Sequence, residues 1–150
     1  MTCKREQIVA RLLVILNTVE GFKFVARNVD EFPEKIRPAA ILLDGDEEAV
    51  PELQRPWVKG KAYTVVQMNP LIVLSMGGRP QDIGTDINEL MARIVTAVMS
   101  DVELTTIVVA NAQCGVYYLA SDYRLSHSLA MDCDMQMRFA IRYTLLPVAP

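Results

Sequence analysis

The stretch "LAMDCDMQMRFAIRYTL", residues 129–145, alternates apolar and mostly polar side chains along its whole length. One set of alternate positions is apolar throughout: Leu129, Met131, Cys133, Met135, Met137, Phe139, Ile141, Tyr143 and Leu145. The other set contains Asp132, Asp134, Arg138 and Arg142. Because successive side chains of a β-strand point to opposite faces, this alternation predicts a strand with one buried face.

Four other segments favour strands, at residues 23–27, 37–44, 61–76 and 115–123. The third contains Pro70, whose missing N–H cannot join a ladder of hydrogen bonds. We therefore expect an edge strand, a bulge or a kink at Pro70.

Two segments have the apolar spacing of amphipathic helices, residues 4–19 and 87–100. Gly21 is a natural stop for the first helix. Asp86, with Glu89 three positions later, predicts a capping box at the start of the second.

The order of the elements is helix, two short strands, one long strand, helix and two strands. Strands that follow each other closely favour antiparallel pairing. The sequence therefore predicts a single α+β domain over residues 1–150, a two-layer sandwich with a mainly antiparallel sheet and both helices on one face.

Composition excludes several classes of protein. Hydrophobic residues make up 51% of the 150 residues and charged residues 22%, so extensive disorder is not expected. The net charge of −3 comes without a basic stripe for nucleic acid, and no apolar run is long enough for a membrane span. The polar start "MTCKREQ" gives no indication of export, and Cys3, Cys114 and Cys133 are expected to be free thiols in the cytoplasm.

The lengths of the strands at 61–76 and 129–145 suggest a partner chain. At about 3.3 Å per residue, the second would span on the order of 55 Å, more than a domain of this size is wide. Either a bulge breaks the strand or part of it pairs with another copy. We expect oligomerisation.

The stretch "AILLDGDEEA", residues 40–49, runs from apolar residues into a cluster of carboxylates. Asp44, Asp46 and Glu48 could surround a hard cation if the backbone turned sharply at Gly45. The simpler interpretation is an exposed acidic loop after a strand. No glycine-rich loop ending in Gly-Lys-Ser/Thr is present, so a phosphate-loop hydrolase is excluded.

Other candidates for catalysis are weak. His127, the single histidine, is expected in a turn between two strands, where Ser126 or Ser128 and Asp122 would rarely form a triad. Asp132 and Asp134 share the polar face of one strand and are better explained as a solvated surface. We expect no enzyme activity and no cofactor.

Several residues are candidates for contacts with other subunits or partners. The polar face of the last strand carries Asp132 and Asp134 first and Arg138 and Arg142 later, which could set subunit pairing through complementary charge or could simply keep the surface soluble. The loops at 44–60 and 77–84 add the following candidates: Glu47, Trp57 and Arg79.

The succession of segments resembles a known family. The helix is followed by "GFKFVARN", "RPAAILLDGDEE", a strand with "QMNPLIVL", the helix "INELMARIVTAV" with "DVEL", and a last strand ending "FAIRYTLLP". Over nearly the whole chain this is similar to the tail-terminator and minor tail (tail-completion) proteins of long-tailed bacteriophages.

The resemblance implies an α+β subunit of a homohexameric ring without catalytic residues. Such a ring caps the head-proximal end of the tail tube, ends tube growth and offers a surface to the head connector. Its partners would be other copies, the tail-tube protein and the head connector or neck proteins, with DNA passing through without sequence-specific binding. The protein would be made in the host cytoplasm and located in the virion. Two alternatives stay open, a neck or head-completion protein and a small metal-dependent enzyme or binder using Asp44, Asp46 and Glu48.

Overall fold

A computed structural model describes residues 3–32, 36–53, 64–109, 113–127 and 131–145. The elements in chain order are α1 (Lys4–Thr18), β1 (Phe24–Arg27), β2 (Ala39–Ala49), a single 3-10 turn (Pro51–Leu53), β3 (Thr64–Gly78), α2 (Ile83–Met99), α3 (Val102–Val108), β4 (Gly115–His127) and β5 (Met131–Leu145). None of the helices in these ranges is long and apolar enough to cross a membrane.

The strands form one sheet in the order β1-β2-β3-β5-β4. All neighbouring pairs are antiparallel except β1 and β2, which are parallel. The expectation of antiparallel pairing between these two successive strands is wrong. The chain leaves β1 at Arg27 and re-enters the sheet at Ala39, a connection long enough to return to the starting end of the sheet.

The three helices cover one face of the sheet, which confirms the α+β two-layer sandwich. The alternation along residues 129–145 is the reason: Cys133, Met135, Met137, Phe139, Ile141 and Tyr143 are all buried. They form one core cluster with Ile8 and Leu12 of α1, Ile87 of α2 and Leu104 of α3.

The second helix differs from its predicted form. It begins at Ile83, and its N-cap is Asp82. Asp86 therefore lies in the first turn and does not cap the helix. Gly84, Thr85 and Asp86 have low helix propensity, so the prediction from sequence started this helix too late. α3 was not predicted as a separate helix.

Two strands extend further than the alternation indicated. β2 continues to Ala49, so the acidic stretch is part of the sheet and the prediction of a loop there is wrong. β4 continues to His127, which is a strand residue and does not lie in a turn. A register shift between Leu43 and Asp46 places a bulge of β2 opposite Pro70. A bulge was one of the three arrangements expected at that proline.

The two longest strands find their pairing partners within the chain. β5 lies between β3 and β4 and is paired with both, from Met131 at one end to Leu145 at the other. Strand length alone therefore does not require a second chain, and oligomerisation stays a prediction. Cys3 is exposed, whereas Cys114 and Cys133 are buried, and all three are free thiols as expected.

Candidate interaction surface on the open face of the sheet

The face of the sheet opposite the core is not covered by any of the described helices, and we call it the open face. It is formed by the strand positions that alternate with the core positions. On the three strands β3, β4 and β5 it consists mainly of Gln67, Asn69, Leu71, Val73, Ser75, Tyr117, Asp122, Arg124, Asp134, Gln136, Arg138, Ala140 and Arg142. Polar and charged side chains outnumber apolar ones, as on the solvent-exposed face of an antiparallel sheet.

Arg142 lies at one end of the open face. Its Nε donates a hydrogen bond to Oε1 of Gln67 on β3, at 2.9 Å. The two side chains line a depression of about 300 Å³ together with Glu48 and Glu52. A guanidinium held by a neighbouring amide is oriented before any partner arrives, which reduces the entropy lost on binding.

Arg138 occupies the middle of the open face. Its register partners are Leu71 on β3 and Ala120 on β4, both without charge. Its guanidinium lies 3.8 Å from the carboxylate of Asp122, and both side chains are about half exposed. An exposed pair at that distance contributes little to stability, so Arg138 remains available for a partner.

Asp134 marks the other end. It lies opposite Ser75 on β3 and Arg124 on β4. With Val73, Asp122, Arg124 and Gln136 it lines a depression of about 150 Å³. Its Oδ1 is buried without a hydrogen-bond partner among the described residues. Asp132 belongs to the same strand, but its side chain lies outside the described part of the chain.

The predicted order of charges along β5 is present, but the neighbouring strand compensates it. Arg124 faces Asp134, and Asp122 faces Arg138 diagonally. The open face therefore carries alternating charges, without one acidic half and one basic half. Alternating charges favour a defined register of contact over a general electrostatic attraction.

The acidic stretch of β2 is divided between the two faces of the sheet. Asp44 points to the helix side, where Arg27 binds it with Nε and Nη2 at 2.9 and 2.7 Å. The same guanidinium binds both carboxylate oxygens of Glu6 on α1. Hydrogen bonds from Arg27 are the largest cause that lowers the pKa of Asp44 and the pKa of Glu6.

Asp46 and Glu48 lie on the open face, opposite Asn69 and Gln67. Since Asp44 is on the other side, the structure does not bring the three carboxylates together. No group of three metal-ligating side chains occurs among the described residues.

The remaining predicted contact residues are scattered. Glu47 points to the helix side, 4.0 Å from Arg5 of α1. Arg79 precedes α2 and pairs with Asp82 at 2.7 Å while remaining 75% exposed. Trp57 lies outside the described residues. The structure thus gathers Arg138, Arg142 and Asp134 on one surface and separates Glu47 and Arg79 from it.

Sequence reasoning missed the exposed side chains of β4. β4 is an edge strand of the sheet. Its exposed side chains include Tyr117, Leu119 and Tyr123, which are 45%, 54% and 48% exposed. The signal was available, since "GVYYLASDYRLSH" contains neither lysine nor proline, the usual residues that protect an edge. Behind the edge, burial raises the pKa of the Cys133 thiol, and a hydrogen bond to that thiol raises the pKa of Tyr123.

Comparison with known proteins gives a likeness of fold. No family model matches the sequence, and no curated protein matches it. A sheath/tube terminator chain of an extracellular contractile injection system (PVC), in its extended state, matches with a TM-score of 0.51 and 11% identity. The match covers 100% of this chain and 62% of that one, so this chain spans less than two thirds of that protein.

A chain from the virion of a native gene transfer agent particle matches with 15% identity, covering 93% of this chain and 91% of that one. Its TM-score of 0.37 is too low to establish a shared fold. The tail-terminator likeness that the sequence motifs indicated is therefore confirmed at the level of fold, by the contractile-system terminator.

Proposed function

We propose that this protein is a structural subunit of a phage-like tail, a tail terminator. Copies form a ring at the head-proximal end of the tail tube, where the ring ends tube polymerisation and provides the head-attachment surface. The observation that supports this most strongly is the likeness of the whole chain to a sheath/tube terminator chain. The motifs of the sequence point to the same family.

The open face supports a contact between neighbouring copies. A ring requires a head-to-tail contact, in which two different surfaces of the subunit meet. Arg138 and Arg142 provide two exposed or half-buried guanidinium groups on one surface. In the proposed ring they meet carboxylates of the next copy, and the arginine fork favours such bidentate pairing. By analogy with the tail-terminator family we propose six copies.

The other partners follow from this position in the particle. The ring contacts the tail-tube protein on one side and the head connector on the other. DNA passes through the lumen without sequence-specific binding, which agrees with a net charge of −3 and the lack of a basic stripe. The protein is then located in the virion after synthesis in the host cytoplasm.

The first experiment tests the ring. The purified full-length protein is measured by size-exclusion chromatography with light scattering and imaged by negative-stain electron microscopy. We expect annular particles with a central channel and, for six copies of 16.8 kDa each, a mass of about 100 kDa. A monomer at every concentration, both alone and with the tail-tube protein, would contradict the proposal.

The second experiment tests termination. Particles made without this protein should carry tails of uncontrolled length that do not attach to heads. Heads that lose their DNA beside free tails of normal length would instead identify a neck or head-completion protein. Electron microscopy of the lysate measures both outcomes.

A further inference from the structure

β4 has an unpaired edge. Along its whole length, from Gly115 to His127, it pairs with β5 on one side. On its other side no strand among the described residues pairs with it, since it ends the sheet order. The backbone N–H and C=O groups along such an edge are a template for another strand.

The edge has little protection against pairing. Tyr117, Leu119 and Tyr123 are exposed, and the strand contains no lysine and no proline. Two protective features are present, the exposed charges of Asp122 and Arg124 and a bulge in the register between Tyr118 and Ala120. Because a bulge bends and twists the strand locally, it limits regular pairing to the part of β4 beyond it, which ends at His127.

This regular part is complementary to itself. Its middle is Tyr123, and the residues on either side are Asp122 and Arg124. If two copies pair antiparallel about Tyr123, each Asp122 lies opposite Arg124 of the other copy. The two Tyr123 side chains then form an aromatic cross-strand pair on the axis. Opposite charges and aromatic pairs directly opposite each other both stabilise antiparallel strands.

We propose that β4 is a homotypic docking edge, at which a second copy of this chain adds its own β4 antiparallel, centred on Tyr123. The pairing joins the two sheets into one continuous sheet around a two-fold axis. A two-fold contact uses the same surface on both copies, so it differs from the head-to-tail contact that closes a ring. It links copies that belong to different rings, or two free subunits.

The charges at Asp122 and Arg124 provide the first test. D122R and R124D each place like charges opposite each other at two positions of the pair, so each should raise the dissociation constant of the dimer about ten-fold or more. The double variant D122R/R124D restores opposite charges between the copies and should recover dimerisation. Sedimentation velocity over a concentration series measures both effects.

The double variant also controls for contacts within one chain. Asp122 lies near Arg138 and Arg124 lies opposite Asp134 in the same copy, so the swap leaves like charges at both places. Recovery in the double variant can therefore only come from the contact between copies. If the double variant is as weak as the single variants, the proposed register is wrong.

A cross-link tests the position of the axis. In a Cys3→Ser/Cys133→Ala background, which removes the thiol that Tyr123 contacts in its own chain, Y123C places two thiols on the two-fold axis. Directly opposite Cα atoms there are about 4.5–5.5 Å apart and within the range of a disulfide. Mild oxidation should give a covalent dimer, whereas Val102→Cys, on the strongly exposed start of α3, should not.

The cross-link separates this proposal from the ring. A ring assembled through the open face without the β4 contact leaves Y123C monomeric on denaturing gels, which would overturn the docking edge and leave the proposed function intact. A protein that dimerises through β4 but forms no ring gives the opposite result. A monomer in sedimentation at all concentrations, with no cross-link, overturns the inference.

Discussion

Gly45 of β2 lies opposite Pro70 of β3 in the sheet, and the local structure at each accounts for the residue type at the other. Pro70 lies in β3, an interior strand, where a missing N–H would leave a gap in the ladder. The bulge in β2 lies opposite, and Gly45 has a φ of 74° there. In that conformation a side chain is strained, and only glycine lets the backbone approach Asn69 and Pro70 as closely as it does.

Gly45→Ala should destabilise the fold by about 3 kcal/mol, because the added Cβ overlaps the backbone carbonyl of Asn69 and the positive φ adds strain. Gly21→Ala is the matched control. Its φ of 108° is also positive, but nothing lies within 4 Å of the added Cβ, so only strain remains and the loss should be smaller. Urea unfolding measures both, and equal losses would mean that the close approach at Asn69 is unimportant.

Arg27 is the second residue with a testable role. Arg27→Met removes hydrogen bonds to Asp44 and Glu6 and should cost about 2 kcal/mol at neutral pH. The pKa of Asp44 is lowered in the folded state, so its stabilisation is present above the ordinary carboxyl value and is lost as the pH falls through the folded value. The difference between wild type and Arg27→Met should therefore shrink from about pH 4 downward.

Urea unfolding at neutral pH and at about pH 3 measures this change. Arg93→Met, at an exposed position of α2, serves as the control and should have little effect at either pH. A constant difference between wild type and Arg27→Met across the range would contradict a role through the carboxylates.

At the scale of elements, sequence patterns predicted the helices and strands whose formation depends on residues close together in the chain. The first helix and β5 were found nearly to the residue, because burial of one face repeats along each of them. The parallel pairing of β1 with β2 could not be predicted. It depends on the path of the connection between the two strands, and no local sequence pattern encodes that path. The continuation of β2 through its carboxylates depends on Arg27 and on the neighbouring β3, which are distant in sequence.

α3 was missed because its stability comes from its cap and from α1. The carboxylate of Asp101 accepts a hydrogen bond from the backbone N–H of Leu104, at 2.8 Å. The same carboxylate accepts two hydrogen bonds from Arg11 of α1, at 2.8 and 2.7 Å. Seven residues are too few to form a helix on propensity alone.

Asp101→Ala should therefore destabilise the protein by about 2 kcal/mol, through loss of both the cap and the contact with Arg11. Asp101→Asn keeps an acceptor for Leu104 but removes the charge that Arg11 binds, so it should cost about half as much. Thermal unfolding measures both variants. Equal losses would show that the cap contributes nothing beyond the ion pair.

At the scale of the whole molecule, the sequence predicted that Asp134, Arg138 and Arg142 share one polar face, but not which residues of the other strands lie beside them. Arg138, Arg142 and Asp134 share the open face because they alternate with the core on one strand. Glu47 does not, because the bulge at Gly45 shifts the alternation in β2. The β4 edge was missed because the position of a strand within a sheet is a property of the complete topology.

The proposed ring makes a prediction at this scale. The double variant R138E/R142E should weaken assembly at least ten-fold. R138E alone should also weaken it and should leave the circular dichroism spectrum unchanged, since Arg138 is about half exposed and reversing it breaks no core contact. Light scattering over a concentration series measures the effect. The control K23E/R93E makes the same change of charge at exposed positions away from the open face. Normal assembly of R138E/R142E would show that the open face is not the contact.

The side-by-side arrangement of β3, β5 and β4 also has a mechanical consequence. β5 is bonded along its length to both neighbours, so tension applied along its axis loads two ladders of hydrogen bonds at the same time. Bonds loaded in parallel must rupture together, whereas bonds opened from one end rupture one after another. The subunit should resist stretching along the strands far better than peeling at β4, and a single-molecule pulling experiment along these two directions would register the anisotropy.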